Sequence, residues 1–182
     1  DGEFRLTEDA NSQSGSLWYG NYLDLESDFD LEFEVNLGSN DGGADGVAFV
    51  LQQSPEGTAS LSKGGGLGYK GITPSVAVEY DTWSNNEYND PLMDHIGLQK
   101  NGDVVHFESN ELERPSMQMN IEDGKWHNTR IKWSAGSKRL QVYWDGSSIP
   151  VLEKSLNMQD EIFGTNPYVY WGWTGSTGDA RN

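Results

Sequence analysis

Between Val76 and Gly97 the chain sets out Glu79, Asp81, Asn85, Asp90 and His95, residue types and spacings suited to holding a cation. The segment opens as an apolar run, Val76-Ala77-Val78, which reads as a buried strand, and breaks near Thr82-Trp83-Ser84 into a polar loop. Strand side chains two apart share a face, so Glu79 and Asp81 point the same way. Two neighbouring carboxylates repel each other unless a cation lies between them. Glu/Asp/Asp/His is an octahedral-metal ligand set, and Asp/Asn with a backbone carbonyl is a calcium set. This one strand and loop offers both. Paired strand acids are ordinarily just solvated; the imidazole and the further acid favour the metal reading.

Strands must position these groups, because helical periodicity is almost absent. Phe29, Leu31, Phe33, Val35 and Leu37 alternate with polar residues, as do Thr129, Ile131 and Trp133, and then Leu140, Val142 and Trp144. Further strands are expected near Ser16–Tyr19, Val47–Gln52, Ser75–Asp81, His95–Gln99, Val104–Glu108 and Tyr168–Thr174, with one short helix over Leu156–Phe163. Gly- and Asn-rich turns separate them, such as Ser39-Asn40-Asp41-Gly42-Gly43, Lys63-Gly64-Gly65-Gly66 and Asn101-Gly102. The pattern predicts an all-β antiparallel β-sandwich, a jelly roll. At 182 residues the chain suits one domain, 1–182, with a substantial core.

Composition narrows the partners. Twelve basic against 29 acidic residues give a net charge of −17, which argues against a nucleic-acid backbone. Bound cations are expected to neutralise part of it. There is no cysteine, so disulfides and thiol chemistry are excluded, and no apolar run long enough for membrane insertion. The chain lacks an initiator Met and reads as a domain excised from a larger exported or cell-surface protein, extracellular in location and joined to other domains.

Four segments carry a resemblance: Gly43-Ala44-Asp45-Gly46-Val47-Ala48-Phe49, the glycine loop Gly64-Gly65-Gly66-Leu67-Gly68-Tyr69, the stretch from Val76 to Gly97, and Trp171-Gly172-Trp173-Thr174 through Thr177-Gly178. In this order they resemble an L-type, legume-lectin-like carbohydrate-binding domain of the bacterial adhesin branch. Trp126-His127-Asn128-Thr129-Arg130-Ile131 resembles a structural strand of the same family. The resemblance implies a non-catalytic, calcium-dependent lectin domain serving adhesion or glycan recognition. Glu79, Asp81, Asp90 and His95 then match the ligands of a transition-metal site, usually Mn2+. Asp81 and Asp90 also match ligands of Ca2+, with Asn85 and the Trp83 carbonyl. The metals act as structural pins. Asp45, after a peptide expected to be cis, would accept hydrogen bonds from two sugar hydroxyls, Asn85 would donate, and the Trp83 ring would cover the C–H face of a mannose/glucose- or galactose-like glycan. Gly65 would contribute a backbone N–H, and Asp179 and Ala180 follow Gly178 in the loop that sets specificity.

In two places the sequence departs from the legume branch. Gly66 stands where that branch often has an aromatic, which predicts a more open groove. Legume-type sequences also continue into another strand past the position of Asn182, so residues beyond it are expected to complete the sandwich. Two rival readings fit the residues less well. Laminarinase-like glycoside hydrolases carry a second Glu on the strand that Glu79-x-Asp81 begins, but Trp83 and Ser84 stand there instead, so a carboxyl pair for retaining hydrolysis is missing. A calcium-stabilised adhesin module binding a protein would need no Asp45 or Asn85, yet both are present. His106, His127 and the tryptophans other than Trp83 are read as structural.

Overall fold

The computed structural model describes residues 2–55, 61–106, 111–118 and 120–180. Eleven strands are present among them: β1 Ser14–Trp18, β2 Leu23–Asp24, β3 Phe29–Val35, β4 Gly46–Gln52, β5 Ser75–Asp81, β6 His95–Lys100, β7 Glu111–Met117, β8 His127–Ser134, β9 Arg139–Trp144, β10 Leu152–Ser155 and β11 Tyr168–Ser176. They form two antiparallel sheets. The larger runs β1-β11-β4-β5-β6-β7, with β2 pairing on β11; the smaller runs β10-β9-β8-β3. The fold is the expected all-β sandwich.

Alternation explains both sheets. Phe29, Leu31, Phe33 and Val35 of β3 and Thr129, Ile131 and Trp133 of β8 turn inward, while Asp30, Glu32, Arg130 and Lys132 face out. The main core lies between the sheets, with Phe49, Leu51, Val76, Val78, Tyr80, Ile96 and Leu98 from the larger sheet and Ile131, Trp133, Leu140 and Val142 from the smaller. Strand β5 is buried along its whole length, and this is what positions the site. Its even residues enter the main core. Its odd residues face a second, smaller core of Ala48, Val50, Ala77, Leu67, Tyr69, Ile72 and Val104, which the glycine loop and the loop after β6 lay over the sheet. Glu79 and Asp81 are therefore buried under loops.

Three expectations about elements are corrected. No strand runs through Val104–His106; Val104 instead packs into the small core, and residues 107 and 108 lie outside the described residues. The partner of β6 is β7, the last strand of the sheet among the described residues, which admits Pro115 where its register with β6 shifts. The helix expected over Leu156–Phe163 is one π turn, Gln159–Phe163, and Leu156 leads into it from β10. Ser16–Tyr19 is shifted: the strand is Ser14–Trp18.

Candidate functional site

Pairing of β5 with β6 sets the inner ring of groups. Asp81 lies opposite His95, Glu79 opposite Gly97 and Ala77 opposite Gln99, so Glu79, Asp81, His95 and Gln99 share the loop-covered face. Gly97 makes room: a Cβ there would lie 2.2 Å from Glu79 Oε1. Glu79 Oε2 accepts a hydrogen bond from the Tyr69 hydroxyl at 2.7 Å, whereas Oε1 is buried and accepts none. Asp81 Oδ1 accepts from the Trp83 N–H at 2.8 Å, and Asp90 Oδ2 from the Asn85 N–H at 2.7 Å. One oxygen of each acid is thus anchored to the chain.

The ring includes a residue read from sequence as structural. His106 comes back over the sheet from the loop after β6, with Nε2 2.9 Å from Glu79 Oε1, 3.0 Å from His95 Nε2 and 3.7 Å from Asp90 Oδ1. A signal for it existed: a tight hairpin at Asn101-Gly102 would set residue 106 across from Gly97, beside Glu79. His127 does lie apart, bridging Asp123 and Asp145 and stacked on Trp144.

Electrostatics describes a ring whose carboxylates outnumber its positive charge. Burial, with Asp90 and Glu79 nearby, pushes the Asp81 carboxyl well above the usual carboxylate range. Burial raises Asp90 to about 7. Burial lowers His95 to about 4, so its imidazole is neutral and available as a ligand. Burial would also lift Glu79, but His106 and His95 beside it hold it below its ordinary value. His106 is raised to about 9, the carboxylates of Glu79, Asp90 and Glu111 outweighing its burial. Two groups of donor atoms, Glu79/His95/His106 and Asp81/Asp90/His95, each lie within 4.8 Å of one another. An orphaned carboxylate oxygen, a space kept by Gly97 and a neutral imidazole fit a divalent cation.

Above this ring four loops meet. Asp45 is 3% exposed; its N–H donates to the Ser176 carbonyl at 3.1 Å and its own carbonyl accepts from Thr82 at the end of β5, at 3.0 Å. The Ala44–Asp45 peptide is cis. Gly178 closes over the carboxyl, where a Cβ would sit 2.9 Å from Asp45 Oδ2, and Gly65 lies so near Asn85 that a Cβ would sit 2.3 Å from its Oδ1. Asp45 Oδ2 and Asn85 Oδ1 are both buried without a hydrogen-bond partner. Burial raises Asp45 to about 6, its hydrogen bond from Gly178 opposing and the charge of Asp179 adding to the rise. Trp83 is 42% exposed, Asp179 is exposed and its carbonyl accepts from the Asn11 amide at 2.8 Å, and Ala180 is half-buried. Gly66 does not face an open groove: it is buried, and a Cβ would lie 2.6 Å from Ser62 Oγ. A hollow of about 420 Å3 lined by Trp126, Trp144 and Asp145 shares no residue with this site.

Comparison with known proteins agrees with this architecture. The profile of the legume lectin beta-barrel domain matches residues 1–182. The pesticidal crystal protein Cry22Aa of Bacillus thuringiensis is 29% identical over 165 residues, 87% of this chain and 22% of that protein. A galactose-binding lectin of Arachis hypogaea is 47% identical over 64 residues, 32% of this chain and 23% of that protein. A serine-rich adhesin for platelets of Staphylococcus aureus is 32% identical over 84 residues, 44% of this chain and 6% of that protein. The chain thus spans less than a quarter of each relative's length. Among solved structures, lectin I-B4 of Griffonia simplicifolia in a metal-free form superposes with a TM-score of 0.76 at 26% identity, covering 94% of this chain and 76% of that one. The lectin of Bauhinia forficata in complex with GalNAc superposes at 0.74 with 23% identity, covering 93% and 75%. With its fold shared and its whole length matched, the chain belongs to the legume lectin β-barrel (L-type lectin) family and is a non-catalytic carbohydrate-binding domain.

Proposed function

We propose that the domain is a calcium-dependent lectin whose sugar site is built by Asp45, Asn85, Trp83 and Gly65, flanked by Asp179 and Ala180. The observation that carries this is the pair of buried, unpartnered oxygens, Asp45 Oδ2 and Asn85 Oδ1, under two glycines where four loops meet. Buried polar atoms without partners are rare unless a ligand supplies the missing hydrogen bond. A sugar edge supplies hydroxyl donors to the Asp45 carboxylate, the Asn85 amide can donate back, and a half-exposed indole suits an apolar sugar face. Calcium would be held by Asp81, Asp90, Asn85 and the Trp83 carbonyl, and a second divalent ion by Glu79, Asp81, Asp90 and His95. Bound metal supplies positive charge that fixes these carboxylates and the loop between them. The Thr82–Asp45 backbone bond ties that loop to the sugar-binding acid.

Galactose and GalNAc are the first sugars to test, because a galactose-binding lectin and a GalNAc complex are among the similar proteins. The Staphylococcus aureus adhesin supports a bacterial surface protein that acts in adhesion outside the cell. A shallow sugar site buries little area, so avidity would come from several copies. The deciding experiment is a glycan array in calcium, repeated in chelator and with Asp45→Ala. Binding lost in both controls upholds the reading. Binding that survives Asp45→Ala moves the site elsewhere, and a blank array beside calcium-dependent stability favours an adhesin module that binds protein.

A further inference from the structure

We infer that His106 is a direct ligand of the second metal, making that centre a two-imidazole site suited to zinc or cobalt rather than manganese. The inference rests on the metal site proposed above and adds a residue to it.

The donor-atom spacings are those of an octahedral coordination shell. Metal–nitrogen bonds of about 2.1 Å place adjacent octahedral ligands ~3.0 Å apart and opposite ones ~4.2 Å apart. His106 Nε2 lies 3.0 Å from His95 Nε2 and 2.9 Å from Glu79 Oε1, both near the adjacent spacing. His95 Nε2 lies 4.0 Å from Glu79 Oε1, near the opposite spacing, and Asp90 Oδ1 is 3.7 Å from His106 Nε2. Glu79 Oε1 accepts no hydrogen bond although His106 Nε2 is so close.

The outer contacts of both rings point the same way. His106 Nδ1 lies 3.3 Å from Glu111 Oε1, and His95 Nδ1 lies 3.3 Å from the Met93 carbonyl. An acceptor on Nδ1 takes its proton and leaves Nε2 with a free lone pair, the usual arrangement behind metal-bound histidine. The Gln99 side-chain amide also lies 3.3 Å from His106 Nδ1, and with its two ends exchanged its buried, unpartnered Oε1 would accept there as well. All three inward-facing side chains, Glu79, His95 and His106, are 1% exposed, so water does not compete for them. With Asp81 and Asp90 these residues make five protein ligands, leaving one octahedral position for water. A second imidazole raises the preference for zinc and cobalt over manganese, which is better served by oxygen.

The test uses the whole chain, stripped and reloaded with calcium and then with zinc, cobalt or manganese singly. X-ray absorption of the zinc-loaded wild type should show two imidazoles per zinc; one imidazole, or no zinc uptake, overturns the inference. His106→Gln, which keeps a side chain able to hydrogen bond to Gln99 and Glu111, should weaken zinc binding at least ~10-fold, and manganese binding less. Equal loss of both metals, or none, also overturns it. Sugar binding by the wild type in calcium alone is read in parallel. If sugar binds while zinc sees a single imidazole, the His106 assignment falls and the lectin reading stands.

Discussion

Asp45 carries two demands that conflict without ligand. In the proposed sugar site its carboxylate must be ionised to accept from hydroxyls, yet it is buried with Oδ2 unpartnered and its pKa raised to about 6. Asp45→Asn removes the charge and keeps the shape. Sugar affinity should fall ~10–100-fold, the usual loss for a hydrogen bond to a charged group. The melting temperature at pH 7 should hold or rise, since an uncompensated buried charge has gone. Calorimetry with galactose, beside thermal melts, checks both; a marked drop in melting temperature would make Asp45 structural. Wild-type sugar binding in saturating calcium should also weaken as pH falls from 7 to 5, as Asp45 protonates. At this scale most candidate residues were legible, because Glu79, Asp81, Asn85, Asp90 and His95 lie on one strand, its loop and the next strand's start, where spacing fixes the face. His106 was legible only through the Asn101-Gly102 turn, whose register sets it across from Gly97; it lies outside any strand, so periodicity alone does not mark it.

Elements decide whether those residues meet. Strand β5 is flanked by apolar packing on one side and by loops on the other, so Glu79 and Asp81 cannot swing out to water. The space for Glu79 is held open by Gly97 on β6. Gly97→Ala would put a Cβ 2.2 Å from Glu79 Oε1 and should cost ~1–3 kcal/mol with loss of the second metal. Gly136→Ala, at a turn where an added Cβ meets nothing within 4 Å, serves as the control. Chemical denaturation with metal analysis of both variants reads this out, and a Gly97→Ala protein that keeps its metal would dismiss the steric argument. Strands with clean alternation, such as β3, β8 and β9, were legible for the same reason they are stable: one face is buried. β7 was not, because Glu111, Glu113 and Pro115 look like loop residues, and only their place at the sheet edge makes them a strand. Val104 alternates like a strand residue but is apolar because it plugs the small core.

For the whole molecule, the proposed metal sites in the acidic cluster should make stability depend on metal and pH together. Without metal, the folded state holds Asp81 far above, Asp90 near 7 and Asp45 near 6, while the unfolded chain releases those protons near the ordinary aspartate value of ~3.9. Between about pH 4 and 7 the folded state therefore binds more protons at these three sites, and their contribution to stability falls as pH rises through that window. His95 opposes them: held at about 4, it favours the fold above its unfolded value of ~6.5 and loses that advantage as pH drops. Three groups outweigh one, so in chelator the melting temperature should be higher at pH 5 than at pH 7. Metal reverses the slope, because carboxylates must shed their protons to coordinate and binding only to the folded state stabilises it by mass action. In saturating calcium and zinc the melting temperature should be higher at pH 7 than at pH 5, and at pH 7 higher than in chelator. Thermal melts at the two pH values, with and without metal, make four numbers whose crossing is the prediction. Parallel slopes would mean that the carboxylates titrate independently of any cation, and the net charge of −17 would then be a solvated surface instead of a site that metal completes.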